Sequence, residues 1–139
     1  MTFSSTDFRG DGIAAPASPE AVAALAGADV ARALAEDVGT GDLTAGLVDP
    51  LRRARARVLV RESAVLCGQP WAEAALRALD PGVKITWHVA EGARCAPDQV
   101  VLEIEGQARA LLSAERTALN FLQLLSAVAT KTRTYVDVV

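Results

Sequence analysis

From Leu111 to Val139 the sequence reads LLSAERTALNFLQLLSAVATKTRTYVDVV. No other stretch constrains the fold as much. At about 100° per residue, positions 113–130 divide into two halves. One is a wide apolar arc of Leu124, Val128, Phe121, Ala114, Leu125, Ala118, Ala129 and Leu122, interrupted only by Thr117. The other carries Glu115, Ser126, Leu119, Thr130, Gln123, Arg116, Ala127, Asn120 and Ser113. A solvent-facing half usually holds several Lys and Glu. This one holds one acid and one cation, so the spacing predicts a helix partly covered on both sides, with Arg116 turned to a cleft or a partner.

Arg116 is placed against its own helix if Ser113 is the N-cap. A cation in the first turn opposes the helix dipole by roughly 0.3–1 kcal/mol. An anionic ligand reverses that sign, because free N–H groups and a guanidinium fork both favour a carboxylate or phosphate. The alternative is an ordinary ion pair with a nearby acid. A start just after Gly106 would put Arg116 deeper in the helix.

Upstream, the pattern predicts helices and short strands. Residues 1–19 are rich in Ser, Gly, Pro and Asp and read as a flexible arm. Ser18-Pro19-Glu20 opens a helix to about Ala35, with a break near Gly27: Ser as N-cap, Pro at N1, Glu in the first turn. Glu36 to Thr44, EDVGTGDLT, reads as a turn-rich link. In RARARVLVR, Arg53, Arg55, Arg57 and Arg61 face one way, with Leu59 the exception among them; Ala54, Ala56, Val58 and Val60 face the other. A short strand from Val65 to Cys67 ends at Gly68. A helix from Pro70 closes at Asp80-Pro81-Gly82. Val83, Ile85, Trp87 and Val89 point inward on a second alternating strand, and Lys84, Thr86 and His88 outward. Turns at Glu91-Gly92 and Pro97-Asp98 precede a third strand through Val100, Leu102 and Ile104. The order predicts an α+β fold, a small twisted sheet with helices upon it. The domains divide at 1–19, 20–110 and 111–139. The chain ends at TYVDVV inside a predicted helix, so the sequence is expected to be truncated.

Composition excludes several function classes. A net charge of −3 and 4% aromatic residues argue against a nucleic-acid domain. One His with the distant Cys67 and Cys95 does not make zinc-ligand spacing. The two thiols suggest a reducing compartment. The sequence holds no secretory signal and no membrane span, so the expected location is cytoplasmic. EDVGTGDLT lacks the lysine of a phosphate loop and calcium-loop spacing, and Asp42 and Thr44 read as turn residues. His88 has no acid or nucleophile spaced to serve it and reads as a solvated side chain. WHVAEGARCAPDQVVLEIEG resembles the hairpin of biotinyl and lipoyl carriers, but no lysine follows Ile104-Glu105. The carrier chemistry fails, although a related sandwich or hammerhead topology is compatible.

EDVGTGDLT, RESAVLCGQPWAEAALRALDPGVKITWHVAEG and above all LLSAERTALNFLQLLSAVAT resemble the N-terminal half of quinolinate phosphoribosyltransferases. The resemblance implies an α/β-hammerhead-like domain whose long helix leads into an α/β barrel absent from this chain. It implies an enzyme making nicotinate mononucleotide, pyrophosphate and CO2 from quinolinate and phosphoribosyl pyrophosphate for NAD synthesis, with Mg2+. It implies a homodimer in which this domain caps the partner's barrel, with Arg116 reaching a quinolinate carboxylate; the chain alone is expected to be inactive. One departure stands at Ser126-Ala127, where the family usually has Ser-Gly. Two rival readings are a paralogue acting on another substrate and a stand-alone binding or oligomerisation module.

Overall fold

A computed structural model describes residues 18–39 and 46–138. Its elements are α1 (Pro19–Gly39), β1 (Arg53–Leu59), β2 (Ala64–Val65), α2 (Gln69–Leu79), β3 (Lys84–Trp87), β4 (Arg94–Cys95), β5 (Val100–Gln107) and α3 (Ala108–Val138). β5 is the centre of an antiparallel sheet ordered β1-β5-β3, and β2 and β4 form a separate two-stranded ribbon. The α+β architecture is the one the alternating patterns predict. The arm and most of EDVGTGDLT lie outside the described residues.

α1 starts as its cap residues dictate. The Ser18 hydroxyl accepts the Ala21 N–H at 3.1 Å, and Pro19 begins the helix. It does not break at Gly27, and it runs past Ala35 to Gly39. Ala26, Val30 and Leu34 form a buried row on both sides of Gly27, and that burial outweighs the roughly 1 kcal/mol cost of glycine in a helix. Glu36 and Asp37 are therefore helical rather than part of a link.

The strands alternate as read. Arg55 lies opposite Glu105 and Arg57 opposite Glu103. Leu59, on the arginine side, is exposed, and the register slips between Val58 and Leu59. Ala56, expected inward, is exposed. Val83 and Val89 are buried and Ile85 and Trp87 half-buried, while Lys84, Thr86 and His88 face out.

α2 and α3 begin at caps supplied from far along the chain. Gly68 has φ 108°, a conformation glycine adopts without a Cβ penalty. The N–H groups of Gly68 and Gln69 donate to the Glu91 carboxylate, which thus serves the α2 N-terminus. At the other end of α2, Asp80 is 4% exposed. Its Oδ1 accepts the Gly82 N–H at 3.1 Å and its Oδ2 the Gln107 N–H at 2.9 Å. That second bond fixes the turn from β5 into α3.

α3 starts at Ala108, so Ser113 is no cap and lies within the helix. Ala114, Thr117, Ala118 and Leu122 are buried, but Leu124 and Val128 are 65% and 58% exposed. The apolar arc is thus covered along its first part only among the described residues. The opposite half is partly covered, as expected. The Ser126 hydroxyl accepts the Cys67 N–H and donates to the Cys67 carbonyl, and the Thr130 hydroxyl accepts the Val65 N–H.

A Cβ at residue 106 would stand 2.4 Å from Asp80 Oδ2. Gly106→Ala is therefore expected to destabilise the fold by about 2–4 kcal/mol, from overpacking plus a displaced charged hydrogen bond. Urea unfolding of the variant against wild type measures it.

Candidate functional site

The candidate site is built on the third turn of α3. Ala114 and Ala118 bury one side of that turn, which leaves Arg116 on the exposed side between Leu112 and Asn120. Because the helix starts at Ala108, Arg116 is beyond the reach of its N-terminal N–H groups. The first-turn argument for an anion therefore falls away. The guanidinium itself stays informative. Among the described residues it makes no hydrogen bond and no ion pair, and no acid stands three or four positions from it along the helix. The ion-pair alternative is not realised among them. The fork presents five donors on a helix packed against α1 and α2. It can grip a carboxylate through two parallel bonds, and it cannot serve as a proton donor or acceptor near neutral pH.

A cleft of about 700 Å³ opens between α3 and β1. Leu102, Leu111 and Leu122 form its apolar part; Arg57, Arg61 and Glu115 supply charge. Arg116 is not among its lining residues. It instead stands on the outer stripe of α3 with exposed Leu112, Asn120, Gln123 and Ala127. That stripe is poor in charge for a surface facing water. Ala127 is exposed.

A polar pair next to Arg116 was not legible in the sequence. The Thr117 hydroxyl donates to Asp37 Oδ2 at 2.7 Å, and Thr117 is 1% exposed. Its signal was the single polar break in the apolar arc; its partner sits in the last turn of α1.

The other candidates are not activated. Burial pushes the Cys67 thiol up, and Glu91 adds to that. Burial also pushes the Cys95 thiol up. Both thiols thus favour the protonated, unreactive form. His88 does have an acid beside it, contrary to the sequence reading: Glu103 on the neighbouring strand lies 2.8 Å from Nε2. Cross-strand proximity supplies what sequence spacing did not. No group of three or more His, Cys, Asp or Glu that could hold a metal occurs among the described residues.

A family model described as the N-terminal domain of quinolinate phosphoribosyl transferase matches residues 42–126. The chain is 36% identical over 106 residues to a probable nicotinate-nucleotide pyrophosphorylase (carboxylating) of Synechocystis sp., covering 76% of this chain and 36% of that one. It is 32% identical over 107 residues to quinolinate phosphoribosyltransferase (decarboxylating) 1 of Nicotiana glauca, covering 76% of this chain and 31% of that one. The fold superposes on the nicotinate-nucleotide pyrophosphorylase from Francisella tularensis with a TM-score of 0.78 at 36% identity, covering 83% of this chain and 41% of the other. It matches NadC from Streptococcus pyogenes with a TM-score of 0.78 at 31% identity, covering 89% and 43%. The chain spans about a third of the length of these curated relatives.

The His88–Glu103 pair has a pH signature. The hydrogen bond from His88 holds the Glu103 carboxyl below its usual range, and the charges of His88, Arg57 and Arg55 act the same way. A depressed folded pKa contributes stability that is present above the unfolded value and lost as pH falls through the folded one. Glu103→Gln is expected to flatten the decline in stability below about pH 4.3. Thermal melts of both proteins across the acid range show whether it does.

Proposed function

The chain belongs to the quinolinate phosphoribosyltransferase family, and from that premise we propose that it is the N-terminal, substrate-capping portion of such an enzyme. The complete protein would join quinolinate to phosphoribosyl pyrophosphate and release pyrophosphate, CO2 and nicotinate mononucleotide for NAD synthesis. The observation that supports this reading is the exposed guanidinium of Arg116, without a partner among the described residues, on a packed helix. A planar fork suits one carboxylate of a dicarboxylate substrate. Its contribution is to hold quinolinate in a reactive orientation, not to move a proton.

The same reading accounts for the composition of the surface around Arg116. Exposed Leu112 borders it, and exposed Leu124 and Val128 extend the uncovered apolar surface further along α3, as fits a helix that packs against another subunit's barrel in a homodimer. Mg2+ belongs to the complete enzyme and would travel with the phosphoribosyl pyrophosphate. The described residues of this chain offer no ligand cluster for it. No described helix is long and apolar enough to cross a membrane. A cytoplasmic location is part of the proposal; the names of some plant relatives carry a mitochondrial or chloroplastic location.

In the complete protein, Arg116→Ala is expected to raise KM for quinolinate and lower kcat/KM by about 100-fold. That corresponds to the loss of a charge-assisted hydrogen bond near 3 kcal/mol. Arg116→Lys should fall between the two, since an ammonium keeps the charge but not the fork. Steady-state kinetics with each substrate varied decides it, and wild-type values for Arg116→Ala would remove the residue from the site. The chain ending at Val139 is expected to form no nicotinate mononucleotide by itself.

A further inference from the structure

We propose that Asp37 and Thr117 are positioning residues for Arg116, setting the rotation and height of the α3 turn that presents it. This rests on the reading of Arg116 given above.

Thr117 follows Arg116 directly and is almost wholly buried, the one polar residue among the buried residues of α3. Apolar burial is itself non-directional, so it favours contact more than one exact rotation. A directional O–H···O⁻ bond behaves differently. The 2.7 Å bond from Thr117 to Asp37 Oδ2 holds only at one rotation and one height of α3 relative to α1.

Asp37 sits in the last turn of α1, where a negative charge opposes the helix dipole. Thr117 is β-branched and costs helix propensity relative to alanine. What the bond adds is register, a role attested for polar contacts within an apolar interface. The turn that it registers is the one bearing Arg116. Polar contacts fix α3 elsewhere too: Asp80 holds Gln107 at its start, and Ser126 and Thr130 hold β2 and its flank further along. Asp37–Thr117 falls between them, at the candidate site. Catalytic geometry is sensitive at this scale, since a displacement near 1 Å can cost up to about 100-fold.

The test uses the complete protein with quinolinate and phosphoribosyl pyrophosphate as varied substrates. Thr117→Val keeps the shape and removes the donor. It is expected to raise KM for quinolinate about ten-fold while KM for phosphoribosyl pyrophosphate stays within about two-fold. Thr117→Ser, which restores the hydroxyl, should return the quinolinate KM to within about two-fold of wild type. The double variant Arg116→Ala/Thr117→Val should be no worse than Arg116→Ala alone, because Thr117 acts through Arg116. If Thr117→Val does not fold, Asp37→Leu, which removes the acceptor, replaces it and should raise the quinolinate KM selectively. A variant that lowers Tm and the active fraction but leaves the quinolinate KM unchanged overturns the inference, as does an additive double variant. Where Arg116→Ala raises that KM and Thr117→Val does not, only this inference falls. Where Arg116→Ala is itself silent, the parent reading falls and takes this one with it.

Discussion

The Asp80 carboxylate accepts one N–H from the turn after α2 and another from Gln107, where β5 becomes α3. This buried group joins three elements at one point. It leaves no room for a side chain at Gly106, which lets the two backbones approach. The start of α3 is measured from there. Once Gln107 is held, the helix begins at Ala108, and 3.6 residues per turn put Ala114, Thr117 and Ala118 inward and Arg116 outward.

Alanine then decides how closely the helices pack. Ala72 and Ala75 on α2 and Ala114 on α3 are fully buried. Short side chains at a contact bring helix axes toward the lower end of the usual 8–10 Å. A core with so few aromatics gains its stability from many small contacts and little of its register from side-chain shape. Hydroxyls and carboxylates compensate. Trp71 donates to Asp29 across the α1–α2 contact, Thr117 to Asp37 across α1–α3, and Ser126 and Thr130 meet the backbone of β2 and its flank. Each polar group satisfies a partner that burial would otherwise make costly.

The sequence made legible what depends on neighbours along the chain. The Ser18 cap, the arginine face of β1, the inward row Val83-Ile85-Trp87-Val89 and the amphipathic α3 all follow from local periodicity. What stayed hidden depends on residues far apart. The α2 N-terminus is served by Glu91 and the α3 start by Asp80, and neither acid stands where a local cap would. Hence Ser113, a sound local candidate, was the wrong cap. The β2–β4 ribbon pairs only two residues on each side, below the length at which alternation is visible. His88 gained an acid through strand pairing. Arg116 was marked as unusual by its uncharged neighbours and by resemblance, but its lack of a partner among the described residues is a three-dimensional fact.

An exposed guanidinium is a weak binding group by itself. At 4 Å in water a unit charge pair is worth about 1 kcal/mol, and at an effective dielectric near 20 about 4 kcal/mol. The proposed role of Arg116 therefore requires its surroundings to be covered when substrate is present. The row around it has the composition for that: Leu112, Asn120 and Ala127 carry no charge that covering would strand. A lysine-rich and glutamate-rich stripe would have to shed several solvated ions at the same step. Removing water from this face thus costs little and strengthens one interaction, that of the guanidinium with a carboxylate. The helix start at Ala108 fits the same logic. It frees Arg116 from the first turn, so that its affinity is governed by the covering surface and not by a dipole that would act with or without substrate.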